Sequence, residues 1–256
     1  MLTLNELKSI SSLRLKKFRE NEGKFLIEGF HLIEECLKSE YIIESIIISE
    51  ELVDAQKGKF IKHIVNKKIP VHYIKKNQFK KLSETENPQG IVAVVETRIL
   101  PKPVFNSVSL FIALDKISDP GNLGTIIRTA YWFNADGILL SSKTVDMYNS
   151  KVIRATQGAL FHVKVYENIN LHNELLYFQS SGFKVFLFDV KSESEFERTA
   201  FGDKNILVFG NETEGISTEI LSQPFEKVKI KGYSNCESLN VSSSCSIALH
   251  YLRTGK

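Results

Sequence analysis

Cysteine is scarce in this chain: Cys36, Cys236 and Cys245 are the only three among 256 residues. The number is odd and no two have C-x-x-C spacing, which argues against a disulfide framework or a zinc site and for a reducing compartment. Long apolar runs are also missing; none approaches the roughly 20 residues a bilayer-spanning helix needs. The start, Met1-Leu-Thr-Leu-Asn-Glu-Leu-Lys8, lacks the apolar centre of a secretory signal, so the chain reads as cytoplasmic. No G-x-x-x-x-G-K-[ST] occurs, which removes a P-loop nucleotidase. Gly121-Asn-Leu-Gly124 is not G-x-G-x-x-G, and a nicotinamide-dependent oxidoreductase is disfavoured with it. No serine stands in a G-x-S-x-G elbow, the histidines are scattered, and the acids form no metal-ligand cluster. A formal net charge of +3 fits a nucleic-acid partner and fits none equally well.

Positive charge gathers in the first hundred residues. Arg14, Lys16, Lys17 and Arg19 are packed around Phe18, and a scatter of lysines runs from Lys57 to Lys81. The dense cluster is a candidate phosphate-contacting patch, against the alternative of a solvated face. Short strands (Ser45–Ile48, Val71–Ile74, Gly90–Val95) alternate with helical patterns through Phe30, Ile33, Leu37 and through Phe60, Ile61, Ile64, Val65. That alternation predicts a small α/β sandwich over residues 1–100. Thr97–Val104, with Pro101 and Pro103, reads as the linker.

Beyond the linker the alternation becomes regular. Buried strands are predicted at Leu110–Leu114, Gly137–Leu140, Val163–Val165, Phe183–Phe188, Ile206–Phe209 and Val228–Lys231. Helices are predicted from Pro120, over Ser150–Leu160, over Leu171–Phe178 and from Val241 to the end of the chain. Asp119 or Asn122 would cap the first of these, and Ser238 or Asn240 the last. Near-continuous apolar strands separated by helices mean a parallel sheet, with ligands taken up at the carboxyl ends of its strands. Three polar loops follow such strands: Asp115–Arg128, Gly210–Gly215 and Ile230–Ser242. Together they offer glycine backbones, the Glu212 carboxylate, the Asn122, Asn211 and Asn240 amides, and Arg128, which lies off the apolar stripe of Leu123, Ile126, Ile127 and Ala130.

In this order the three loops resemble the signature motifs of the SpoU family of RNA ribose 2′-O-methyltransferases, in the SPOUT superfamily. They stand here as Asp119-Pro-Gly-Asn-Leu-Gly-Thr-Ile-Ile-Arg128, Phe209-Gly-Asn-Glu-Thr-Glu-Gly215 and Ser238-Leu-Asn-Val-Ser242, within residues 107–256. Lys24-Phe-Leu-Ile-Glu-Gly29 and Asn87-Pro-Gln-Gly-Ile91 are similar to the ribosomal-protein-like substrate-binding domain that often precedes this catalytic domain. The resemblance implies an α/β chain with a deep trefoil knot in its C-terminal domain, S-adenosylmethionine as cofactor, an RNA substrate and a homodimer. It places Gly210, Ile230 and Leu239 against the cofactor through backbone groups, and Asn122, Arg128, Glu212, Ser238 and Asn240 at the catalytic positions. Arg128 is the family's proposed catalytic residue; an arginine is a poor base, so its expected role is to grip phosphate and stabilise developing charge. Ribosomal RNA is favoured over transfer RNA because of the additional N-terminal domain. The competing expectation is a non-catalytic RNA-binding or ribosome-assembly factor of the same fold. Relatives commonly carry a small residue where Thr213 stands.

Overall fold

The computed structural model describes residues 2–51 and 58–255; Lys57 lies outside them. The chain divides into two compact units, one holding the residues up to Arg98 together with Tyr148–Phe161, the other Ile99–Met147 and His162 onward.

In the first unit the elements are α1 (Leu4–Ser12), α2 (Lys16–Glu22), β1 (Lys24–Glu28), α3 (Phe30–Leu37), β2 (Ile43–Ser49), α4 (Gly58–Asn66), β3 (Val71–Ile74), α5 (Lys76–Phe79) and β4 (Ile91–Glu96). α1 starts at a reciprocal cap: Thr3 Oγ1 accepts from the Glu6 amide, and the Thr3 amide donates to the Glu6 carboxylate. The strands form a four-stranded sheet in the order β1-β4-β2-β3, with β4 antiparallel to both neighbours and β3 parallel to β2. One face of this sheet buries Ile47, Val92 and Val94 beneath Leu7, Leu13, Phe79 and Leu82.

The second unit begins with β5 (Ser109–Asp115), α6 (Pro120–Trp132) and β6 (Gly137–Ser141). The chain then enters the first unit for α7 (Ser150–Thr156) and a single 3-10 turn. It returns with β7 (Val165–Ile169), α8 (Leu171–Ser180), β8 (Lys184–Phe188), β9 (Lys204–Gly210), α9 (Thr218–Leu221), β10 (Glu226–Val228) and α10 (Val241–Thr254). Its six strands are all parallel, in the order β10-β8-β9-β5-β6-β7. A parallel sheet buries both faces, which is why β5 and β9 read as unbroken apolar runs. An aromatic cluster of Phe111, Phe178 and Phe183 fills one side, with ring centroids 4.7 to 5.9 Å apart.

Several predicted boundaries shift by one or two residues, and three move further. The helix expected over Ser150–Leu160 ends at Thr156, because Gln157 and Gly158 both take positive φ (50° and 89°). Gly158 has no room for a side chain: a Cβ there would lie 2.6 Å from Glu35 Cγ. The strand expected at Val163–Val165 starts at Val165 and runs to Ile169. The strand expected at Val228–Lys231 is instead Glu226–Val228, beyond which only a bridge between Glu195 and Lys229 continues the pairing.

Candidate functional site

The order of strands puts the site at a switch point. From β5 the chain winds outward through β6 and β7, then crosses back to build β8 and β9 on the other side. β5 and β9 are therefore central neighbours, and Asp115 pairs with Gly210 at their carboxyl ends. Two of the polar loops leave the sheet side by side from this pair.

Gly210 is there for space. A Cβ on it would lie 2.1 Å from the carbonyl carbon of Gly215 and 2.2 Å from the amide of Ile216. Its absence lets the loop fold back on itself, with the Asn211 and Gly215 main chains exchanging hydrogen bonds of 3.0 and 2.9 Å. Asn211 then holds the turn: its Oδ1 accepts from Thr213 and Glu214 amides at 2.8 and 3.0 Å, while its Nδ2 donates to the Lys116 carbonyl at 2.8 Å. Thr213 is exposed, so its extra bulk meets no obstacle. Asp115 is buried and accepts from the Ser217 amide at 2.8 Å, anchoring the far end of the same loop.

Glu212 joins the second loop to the first. Its carboxylate accepts from the Ser118 amide (3.2 Å) and hydroxyl (3.0 Å), the Asp119 amide (3.3 Å) and Asn122 Nδ2 (2.9 Å). Partial burial pulls the Glu212 pKa upward, but the hydrogen bonds from Asn122 and Ser118 outweigh it and hold the carboxyl below the ordinary range. The helix that presents Asn122 is α6, capped by Asp119, whose carboxylate accepts from the Asn122 amide at 2.8 Å, with Pro120 in its first turn.

The third loop closes the constellation. Asn240, not Ser238, caps α10: its Oδ1 accepts from the Ser242 amide at 2.8 Å and the Ser242 hydroxyl at 2.6 Å. Its Nδ2 donates to Asn122 Oδ1 at 2.9 Å. Asn122 thus gives a hydrogen bond to Glu212 and takes one from Asn240, so one amide ties all three motif loops together. Further along, α10 packs on α6 where the Thr129 and Ser246 hydroxyls meet at 3.3 Å. The small serines of α10 permit that approach.

The remaining predicted residues are less engaged. Arg128 is exposed on α6 and has no hydrogen-bond or ion-pair partner among the described residues. Ile230 is half-buried, while Ser238 and Leu239 are exposed within a loop whose residues from Lys231 to Asn240 all face solvent. Main-chain groups of Lys231, Gly232, Tyr233 and Leu239 have no partner within the chain among the described residues. Free backbone donors and acceptors on this loop suit a ligand rich in heteroatoms.

The basic cluster of the first unit is not the patch its composition predicts. Arg19 is buried at 5% exposure, and its Nη1 donates to the Leu13 and Arg14 carbonyls at 2.9 and 2.7 Å. Those carbonyls belong to the end of α1, so Arg19 caps a helix. Arg14 is turned onto Glu84 at 3.0 Å and the Lys81 carbonyl at 3.3 Å. Arg14, Lys16 and Lys17 are exposed, but Arg14 is committed to Glu84, which leaves Lys16 and Lys17 as the freer cations of the four. Sequence reasoning passed over Ser118, which has no motif-like spacing of its own, and Asp115, whose place at the end of a predicted strand was the available signal.

No group of His, Cys, Asp and Glu able to hold a metal occurs among the described residues, and no helix there is long and apolar enough to cross a membrane. A family model described as the SpoU rRNA Methylase family matches residues 109–250. One described as the MRM3-like substrate binding domain matches residues 5–93. The chain is 31% identical over 251 residues to the 23S rRNA (guanosine(2553)-2′-O)-methyltransferase RlmP of Bacillus subtilis, covering 97% of this chain and 96% of the relative. Its fold is similar to that of a TrmH-family RNA methyltransferase, described as putative, from Porphyromonas gingivalis (TM-score 0.86, 28% identity, 100% of both chains). It is also similar to an AdoMet-bound rRNA methyltransferase from Sinorhizobium meliloti (TM-score 0.87, 24% identity, 100% and 97% of the two chains), a likeness of fold.

Proposed function

The chain belongs to the SpoU rRNA methylase family, and we propose that it transfers a methyl group from S-adenosylmethionine to a ribose 2′-hydroxyl of ribosomal RNA. The observation that carries this reading is the convergence of Asn122, Glu212 and Asn240, one from each motif, through bonds of 2.9 Å at the carboxyl edge of the sheet. The Bacillus relative acts on a guanosine of 23S rRNA, which supports ribosomal over transfer RNA as substrate.

When bound, S-adenosylmethionine supplies an electrophilic methyl on a sulfonium. Gly210, Ile230 and Leu239 would hold it through main-chain groups; the unpaired backbone of the third loop supports that assignment. Glu212, spent on four hydrogen bonds from Ser118, Asp119 and Asn122, acts by fixing the first loop in place rather than by taking a proton. Asn122 and Asn240 lock the loops together, and Ser238 stands on the same exposed loop, where its hydroxyl can reach RNA. Arg128, exposed and unpartnered, grips the phosphate beside the reacting ribose and stabilises the developing alkoxide. The reading includes residues 1–100 as the RNA substrate-binding domain and residues 107–256 as the knotted catalytic domain. It also includes a homodimer, supported by the exposure of Tyr131 (50%), Trp132 (82%) and Ile247 (42%) on α6 and α10.

Calorimetry with a metal chelator present is expected to show S-adenosylmethionine binding, and mapping of 2′-O-methyl positions in total RNA is expected to reveal one ribosomal site lost with the gene. Absence of binding at millimolar cofactor would sink the enzymatic reading; a lost site in transfer RNA would redirect the substrate.

A further inference from the structure

Three lysines alternate along the last strand of the six-stranded sheet and just beyond it: Lys227, Lys229 and Lys231, leading to Tyr233. Side chains alternate sides along a strand, so Lys227 and Lys229 lie opposite the buried Val228. Lys227 and Lys231 are exposed and Lys229 is half-buried. Tyr233 is 90% exposed, and the Lys231 ammonium stands 5.7 Å from its ring centroid.

Lysines on an outer strand ordinarily serve to repel edge-to-edge pairing. That explanation is weak at β10, because its outer edge is already covered. The Lys229 amide donates to the Ser194 carbonyl at 2.9 Å, the Phe196 amide donates to the Lys229 carbonyl at 2.8 Å, and Ser192 Oγ donates to the Lys227 carbonyl at 2.8 Å. No open row of backbone groups at these residues needs guarding. What remains is a cationic stripe that climbs toward the carboxyl edge of the sheet and ends in a bare aromatic ring, on the loop that carries Ser238 and Asn240.

We propose that Lys227, Lys229, Lys231 and Tyr233 form a track for a single-stranded stretch of the substrate RNA, with phosphates on the lysines and one unstacked base on the Tyr233 ring. This rests on the reading of the protein as an RNA methyltransferase. Every base has a flat face, so such a platform grips any unpaired nucleotide, and the lysines count its phosphates without reading sequence. Glu195 sits in the track as a competitor: its carboxylate pairs with Lys231 at 3.1 Å and with Arg198 at 2.9 Å. Phosphate arriving at Lys231 displaces that carboxylate.

The test is fluorescence anisotropy of the full-length protein with a labelled poly(U) oligonucleotide over a range of salt, alongside methyl transfer to ribosomal RNA. Replacing all three lysines by glutamine is expected to lower the log–log salt slope by roughly 2, at about 0.7 for each single-strand phosphate contact. Tyr233→Ala is expected to weaken poly(U) binding by roughly fivefold to a hundredfold, with Tyr233→Phe restoring it. Glu195→Gln is expected to tighten binding, a gain that a merely structural carboxylate would not give. Should the triple variant fold poorly, Lys227→Gln alone carries the same test with a slope change of roughly 0.7. An unaltered slope and affinity, with methyl transfer by the wild type intact, overturns the track alone. A wild type that transfers no methyl to RNA overturns the enzymatic reading and the track with it.

Discussion

Two polar clusters stood out in this sequence, and the fold treats them in opposite ways. Asn122, Glu212 and Asn240 lie far apart in the chain, yet they meet in one hydrogen-bonded group at the ends of β5 and β9 and the start of α10. Arg14, Lys16, Lys17 and Arg19 lie within six residues of one another, yet they part company, with Arg19 turned inward onto the end of α1 and Arg14 onto Glu84. Proximity in sequence says little about a shared surface when a helix end needs donors nearby. Residues at the carboxyl ends of neighbouring parallel strands are a better guide, because sheet order fixes where they open.

The widest separation between the clusters is expected in activity. Arg128 contributes to no described hydrogen bond or ion pair, so Arg128→Ala is expected to change stability by no more than about 0.5 kcal/mol. If it stabilises charge that develops only in the transition state, turnover falls by on the order of a hundred- to a thousandfold. Arg128→Lys rescues little, since an ammonium lacks the planar fork that grips phosphate through two bonds. Single-turnover methyl transfer with parallel cofactor titration makes the measurement. Near-normal turnover in the alanine variant removes the assigned role, and lost cofactor affinity places the residue in the wrong site.

Arg19→Ala is expected to do the reverse. It strips one buried and one partly buried carbonyl of a charged donor, at a cost of about 1–3 kcal/mol in stability. Denaturant unfolding of full-length protein reads that loss, and Lys16→Glu with Lys17→Glu serves as the exposed comparison, expected within about 0.5 kcal/mol of wild type. A double lysine variant as damaging as Arg19→Ala would mean that the split within this cluster is misread.

Much of the second unit was legible beforehand because a parallel sheet leaves a plain mark: apolar runs in Leu110–Leu114 and Ile206–Phe209, each followed by a polar, glycine-bearing loop. The cap of α6 at Asp119 was one of two candidates, and the cap of α10 at Asn240 likewise. Local sequence could not choose, since the choice at α10 accompanies a bond to Asn122 on another helix. Periodicity alone did not end α7 at Thr156, where Gln157 and Gly158 turn to positive φ; the glycine was the local signal for that end. Nor could periodicity reveal Arg19 as buried, because no apolar stripe includes it and its partners are main-chain carbonyls.

The finest difference between the clusters is one of pH. Glu212 keeps its carboxyl below the ordinary range because the hydrogen bonds from Asn122 and Ser118 outweigh the penalty of partial burial. An acid whose folded pKa is depressed stabilises the fold at pH above its unfolded value, about 4.3, and that contribution disappears as pH falls through the folded value. Wild type is therefore expected to exceed Glu212→Gln in melting temperature near neutrality. The gap should narrow below about pH 4, where protonation begins to remove what the substitution has already removed. The carboxylate is exposed to solvent, so the whole effect is expected to stay within about 1 kcal/mol. Thermal melts of both proteins from neutral pH down to the acid limit of folding make the comparison. A gap that stays constant through this range, or widens toward acid, would mean that Glu212 does not hold the second loop to the first as a carboxylate.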